Sequence, residues 1–358
     1  MIKLVDISRE MDGSAVITAF ADSRMEVPSN VVTTMPVIKG LPSDITKIAS
    51  SSVFYTASLD IGIVQDSGVV VWTGDSGSDV LDSILDGSIT SIKNDITSIG
   101  NYVFAYAANL EEIDFPEATN IGEYAFTYCG KLVEVNLPKA TNIGESAFSY
   151  CSNLERIELP ELITLGKSVF NSCGKLVEIN LPKVTSIDLR ALYYCSSLTD
   201  INVPNVISIG DRAFSSCSAL AEINLPKATS IGKYAFQYCS SLTGINAPNV
   251  TSIGEYAFSS CSALAEVIFP KVGFIGASAF QASSKLKKLV LKKNDGVATL
   301  SNITAFTSTP FYSNGTGGTL YVPQALISSY QSASNWSKIL SYPNNQILPI
   351  EGSPYEEA

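Results

Sequence analysis

Seven cysteines give this chain its most reactive-looking feature: Cys129, Cys151, Cys173, Cys195, Cys217, Cys239 and Cys261, each 22 residues after the last. Cysteine can act as a nucleophile, a metal ligand or half of a disulfide, and each role needs a second group. A disulfide framework wants an even count and paired spacings, whereas this count is odd and the spacing uniform. The chain contains no histidine. That removes Ser-His-Asp and Cys-His catalysis, histidine-ligated zinc and the usual general base at neutral pH. With no second ligand type converging on them, the cysteines read as a buried column of small, soft hydrophobes.

Carboxylates recur with the same spacing. One column holds Glu112, Glu134, Glu178, Asp200, Glu222 and Glu266, interrupted by Arg156 and Gly244 and followed by Lys288. Two residues further on stand Asn136, Asn180, Asn202, Asn224 and Asn246. Carboxyl groups about 5 Å apart are the geometry of a retaining glycosidase. Here they are equivalent positions on one flat sheet, with nothing to give two members different roles. A calcium site would need a clustered acidic loop that the sequence lacks. The pattern therefore points to binding without catalysis, without a metal and without a cofactor. Asparagines in register can bond to one another along a stack. Stacked like charges oppose one another, so the acidic column is expected to meet either a basic protein partner or only water. Tyrosines spaced four apart, Tyr102/Tyr106, Tyr124/Tyr128 and Tyr234/Tyr238, supply a second candidate surface, either for a partner or for packing on one another.

The elements that must position these columns come from one repeat. The unit Ile-Gly-x-x-Ala-Phe-x-x-Cys-x-x-Leu-x-x-Ile-x-Leu-Pro starts at Ile99, Ile121, Ile143, Leu165, Ile187, Ile209, Ile231, Ile253 and Ile275. Nine units of 22 residues cover 99–296. In Leu132-x-x-Val135-x-Leu137-Pro138 the alternation predicts a short strand with Val135 and Leu137 inward and Glu134 and Asn136 outward. In Gly122 to Cys129 the apolar residues Ala125, Phe126 and Cys129 suit a short helical turn on the opposite side. No unit buries its apolar face alone, so the units must stack. Stacking builds a phenylalanine spine, broken only at Leu192, and a glycine column, broken only at Asp188. Because Asp tolerates a left-handed backbone better than most residues, the glycines are expected to serve a positive-φ turn, with close packing as the other reading. The fifth unit carries both exceptions and is the expected irregularity. The fold class is an α/β repeat solenoid with parallel strands on one face.

The ends of the chain depart from the period. Residues 1–78 read as a small β-rich domain, with strands at Ile2–Ile7, Ala15–Ala21, Val53–Leu59 and Gly68–Thr73. Residues 79–98 read as an N-terminal cap, with a helix at Asp79–Asp86 and a strand at Ser88–Ile92. Residues 297–358 read as a C-terminal cap. Leu320–Val322 adds a strand there, and one helix from Pro323 to Leu340 turns Leu326, Tyr330, Ile339 and Leu340 inward, locked by Trp336. A formal charge of −11 argues against nucleic acid. No apolar run is long enough to span a membrane, and the first 30 residues do not read as a signal peptide.

The unit, read from its cysteine as Cys-x-x-Leu-x-x-Ile-x-Leu-Pro-x-x-x-Thr-x-Ile-Gly-x-x-Ala-Phe, resembles the BspA-type bacterial leucine-rich repeat, also called the treponemal class. Thr319 to Pro323, followed by Tyr330 and Asn335-Trp336, resembles the module that often closes such arrays. The resemblance implies a non-catalytic adhesion protein, on the cell surface or secreted, whose partner is a host matrix or cell-surface protein. A glycan-recognising part of an envelope or phage fibre is the alternative. Sheet columns without aromatic residues favour the protein partner.

Overall fold

Among the described residues each repeat carries one strand of three or four residues and one of two, and the two kinds form separate parallel ladders. The computed structural model describes residues 4–9, 15–19, 38–39, 91–93, 97–101, 104–107, 109–312 and 315–357. The chain divides into two compact units, Met1–Leu181 and Pro182–Ala358. In the first, Ser91–Lys93 pairs with Glu112–Asp114, which pairs with Glu134–Asn136, and Arg156–Glu158 pairs with Glu178–Asn180. In the second, Glu222–Asn224 pairs with Gly244–Asn246, and Glu266–Phe269 with Lys288–Leu291. Between repeats each pair joins a residue to its equivalent 22 positions on, as Glu112 to Glu134, while the cap strand joins the first repeat at 21, as Ser91 to Glu112. Equivalent side chains of successive repeats therefore stand directly over one another.

The expected strand lies where the alternation placed it. The smaller ladder, of strands such as Asn120–Ile121 and Ser208–Ile209, was not legible in the sequence. The return side corrects the reading of a short helical turn: Gly122 to Cys129 forms consecutive turns. Its amides donate to the next repeat, Tyr124 N–H to Glu145 O at 2.9 Å, Phe126 N–H to Ala147 O at 2.7 Å and Tyr128 N–H to Ser149 O at 2.8 Å. A helix about 10 Å across could not follow repeats stacked at strand spacing of about 4.8 Å. The flat turns can, and they gain a third ladder of hydrogen bonds.

These turns also relocate the left-handed residues. Tyr124 and Tyr128 have φ of 56° and 61°, and the equivalent pairs include Arg212 and Ser216 at 57° and 67°. Neither the glycine column nor Asp188 is left-handed. Close approach explains the glycines instead. A Cβ on Gly144 would lie 2.5 Å from Glu123 N, and one on Gly122 would lie 2.4 Å from Gly100 C. Gly166 is the contrast, since its nearest neighbour would be Ile143 O at 3.4 Å. Gly144→Ala should therefore cost about 1–3 kcal/mol through overpacking. Gly166→Ala should stay within about 1 kcal/mol of the parent chain. Equal losses in chemical denaturation would refute this account of the column. Asp188 fits with its carboxylate accepting from Ser186 Oγ at 2.7 Å, and the fifth unit keeps its strand Ser186–Ile187.

Phenylalanines fill the core. In the first unit Phe104, Phe126, Phe148 and Phe170 stack with centroids 5.1, 5.2 and 5.6 Å apart. In the second, Phe214, Phe236, Phe258, Phe280 and Phe306 stack at 5.1 to 5.6 Å. The cysteines lie beside them, all free and buried. Cys151 Sγ–H donates to Phe126 O at 3.2 Å, and Cys239 Sγ–H to Phe214 O at 3.1 Å. Burial pushes the Cys151 thiol well up, with the neighbouring Cys173 and Cys129 adding to the shift. Cys217 is raised by burial and then by Cys239. Because all seven are buried, alkylating reagents should leave them unlabelled until denaturant is added. Rapid labelling of the native chain would remove the column from the core.

At the N-terminal end, Leu4–Arg9 and Ala15–Ala19 pair antiparallel, and Ile38–Lys39 joins the latter in parallel. The strands expected at Val53–Leu59 and Gly68–Thr73 and the helix at Asp79–Asp86 lie outside the described residues. The strand expected at Ser88–Ile92 is Ser91–Lys93.

The C-terminal cap differs from the single helix expected. A 3-10 turn at Gln324–Leu326 leads into helix Ile327–Ser332, extended Ala333 breaks the path, and a second helix spans Ser334–Leu340. The break lets two rings reach the backbone of one residue: Tyr330 Oη accepts from Ala298 N–H at 3.0 Å and Trp336 Nε1–H donates to Ala298 O at 2.7 Å. Trp336 also packs on Phe306, 5.9 Å between centroids. Strand Thr319–Val322 stacks on Lys288–Leu291 as expected. A further strand, Gln346–Pro349, pairs beyond it, with Gln346 and Ile350 N–H donating to Gly318 and Val322 O.

Candidate partner-binding surface

The strand ladder places the acidic and amide columns on its outer face. Glu134, Asp200 and Glu222 are exposed and form no ion pair among the described residues. Two expected members are not open. Arg156 Nη1 lies 3.2 Å from Glu178 Oε2. Glu266 Oε2 lies 3.3 Å from Lys288 Nζ and accepts from Tyr355 Oη at 2.8 Å. The expectation that this column meets only a basic partner or water is therefore corrected at Glu178 and Glu266, which have partners within the chain. The cause is the register: opposite charges 22 residues apart become cross-strand neighbours.

The amide column bonds to itself in part. Asn246 Nδ2 donates to Asn224 Oδ1 at 2.8 Å, and Asn136 Nδ2 to Asp114 Oδ1 at 2.7 Å. Asn180 and Asn202 occupy equivalent strand positions. Beside them a second amide pair, Asn142 to Asn120, follows the smaller ladder.

Two open depressions lie on this face. The first, in unit one, is about 600 Å³ and includes Glu134, Asn136, Arg156 and Glu158. The second, in unit two, is about 750 Å³ and includes Asp200, Glu222, Gly244 and Glu266. Gly244 matters here, because the missing side chain leaves a notch between the repeats of Glu222 and Glu266. The sequence showed the interruption but not the hollow it creates.

The tyrosines separate into two kinds. Tyr102 lies outside the described residues. Tyr124 is half-buried, and its hydroxyl donates to Glu145 Oε1 at 3.4 Å. Tyr128 is exposed and stacks between Tyr106 and Tyr150 at 5.0 and 4.4 Å, the planes within 6°. Each ring thus covers the face of the next and presents its edge to water.

Tyr355 is the residue that sequence reasoning missed. It arrives from 89 positions away from Glu266, outside the period. A signal was present. The outward column that carries Asn224 and Asn246 becomes Ile268 and Val290, and apolar residues facing outward imply a cover.

The family described as BspA type leucine rich repeat region matches residues 86–199 and 185–310, in six copies. No curated protein matches the chain. Among solved structures it is similar to a leucine-rich repeat protein from Bacteroides ovatus, 18% identical over 98% of each chain, TM-score 0.40. It is also similar to a leucine rich cell surface protein from Faecalibacterium prausnitzii, 19% identical over 98% of this chain and 94% of that one, TM-score 0.34. The pneumococcal vaccine antigen PcpA is similar at 17% identity over 97% of this chain and 99% of its own, TM-score 0.44.

Proposed function

Because the chain belongs to the BspA-type leucine-rich-repeat family, we propose that it is a non-catalytic adhesion protein of the bacterial surface that docks a protein partner on its strand face. The observation carrying this reading is the set of exposed, unpaired carboxylates Glu134, Asp200 and Glu222, each bordering an open depression. In the second unit Asp200 and Glu222 are like charges on neighbouring strands, held there by the fold at some cost, and a basic surface relieves it. The partner is a host matrix or cell-surface protein presenting Lys and Arg. The stacked tyrosines support the protein reading over the glycan one, because sugars pack on ring faces and these faces already cover one another.

Matrix proteins immobilised beside a glycan array test this directly. For the protein that binds, Glu134→Gln, Asp200→Asn and Glu222→Gln together should lower the association rate about tenfold at low salt. The difference should shrink above about 0.1 M salt. Unchanged kinetics at low salt would move the site to the Tyr106–Tyr150 edge. Binding confined to the glycan array would overturn the reading.

A further inference from the structure

The outer face of the strand ladder is polar through most of its repeats, and at its end it turns apolar. Ile268, Val290 and Tyr321 stand where earlier repeats carry asparagine, and Val290 is fully buried. The chain's own segment 350–357 covers them. Its buried anchors are Ile350 and Tyr355. Tyr355 meets Tyr321 edge-on, 4.7 Å between centroids at 63°. Its hydroxyl donates to Glu266 Oε2 at 2.8 Å, and Lys288 Nζ lies 5.8 Å from its ring centre. The bed is thus built for a phenol, with an aliphatic and aromatic floor, a carboxylate at the hydroxyl and a cation beside the ring.

The segment that fills it is a poor match for what lies next to it. The depression of about 750 Å³ shares Glu266 and Ile268 with the bed and continues past Glu222 to Asp200. The covering segment carries Glu351, Glu356 and Glu357, the same sign as that groove. Glu351 accepts from Gln324 N–H in the cap and Glu356 from Gly352 N–H within the segment, at 2.8 Å each. Gly352 has φ of +74°, and no atom lies within 4 Å of where its Cβ would be. The segment therefore holds by its two apolar anchors, the tyrosine hydroxyl on Glu266, Ile350 N–H on Val322 O and Glu351 on Gln324 N–H, and it brings no cation to Asp200 and Glu222 further along the groove.

We propose that the bed under Tyr355 is a docking site for a tyrosine carried on a basic partner segment, covered in the free protein by residues 350–357. This rests on the reading that the partner meets the acidic strand face, and it adds the partner's chemistry: a phenol for the bed and cations for the groove. The covering segment competes intramolecularly, with the advantage of high effective concentration. The partner overcomes it through charge that the segment lacks.

The probe is a labelled peptide of residues 350–357 carrying Glu351→Lys, Glu356→Lys and Glu357→Lys, titrated into the full chain by fluorescence anisotropy. It should bind the Tyr355→Ala protein at least about tenfold more tightly than the parent protein, because the tethered competitor is gone. Replacing the peptide's own tyrosine by alanine should abolish the gain. In the parent protein, saturating peptide should speed hydrogen exchange in 350–357, a measurement that needs no variant to fold. Equal affinity for both proteins, or unchanged exchange, overturns the proposal. Asp200→Asn with Glu222→Gln separates it from the function proposed above. Binding that responds to Tyr355→Ala but not to those two changes refutes the acidic-face reading and leaves the bed. Binding that responds to those two but not to Tyr355→Ala refutes the bed alone.

Discussion

Phe236→Ala is expected to destabilise the chain by about 3–5 kcal/mol, the range for deleting a buried ring from a core that cannot collapse. Phe236 is fully buried between Phe214 and Phe258, at 5.1 and 5.4 Å. Collapse is opposed from every side. The backbone around the ring is fixed by Phe236 N–H donating to Ala257 O at 2.8 Å, and Cys261 Sγ–H bonds to Phe236 O at 3.1 Å. The same deletion at Tyr128 makes the comparison, because that ring is exposed and stacked on its neighbours. Its loss removes stacking worth about 0.5–1.5 kcal/mol. Denaturant midpoints for the two variants should therefore differ widely. Similar midpoints would show that the rings outside the core carry as much of the stability as the spine.

Trp336→Ala should be nearly as costly, about 3–5 kcal/mol, and its loss should be felt locally first. The indole is 1% exposed, packs on Phe306 and Tyr330, and holds Ala298 O through Nε1. Removing it leaves a buried carbonyl without its donor, as well as a cavity. Repeat arrays depend on nearest-neighbour contacts, so an opened cap exposes the last repeat's core edge. Hydrogen exchange should rise first in 298–340 and only at higher denaturant in the repeats near Phe214. Uniform acceleration across the second unit would mean that cap and repeats unfold as one. Trp336→Phe keeps most of the volume but not the donor, and should recover most but not all of the loss.

The repeat was legible because every unit states the same pattern, and the register of i with i+22 follows from it. The Phe spine and the Cys column needed only that register. The return side was not legible, since Ala125, Phe126 and Cys129 have the spacing of a helical face. What decides against a helix is the neighbouring repeat, which takes the amides of Tyr124, Phe126 and Tyr128. The left-handed positions were hidden for another reason. Tyr, Ser and Arg do not announce a positive φ, whereas the conspicuous glycines were there for contact. On the candidate surface, Arg156 with Glu178 was within reach of the register argument. Tyr355 with Glu266 was not, because a single long-range contact outside the period leaves no pattern to extend.

Strand Gln346–Pro349 closes the ladder of the second unit, and its composition bears on how copies of this chain behave at high concentration. In a parallel ladder, N–H groups point alternately to either side of the strand. Those of Gln346 and Ile350 face inward, to Gly318 and Val322. Outward donors then fall to Ile347 and residue 349, and residue 349 is proline, which has no N–H. The exposed edge offers one donor where an ordinary strand would offer two. A molecule laid end-on would leave a carbonyl unmatched at the seam, so the geometry that builds the array within one chain is blunted against fibre growth between chains.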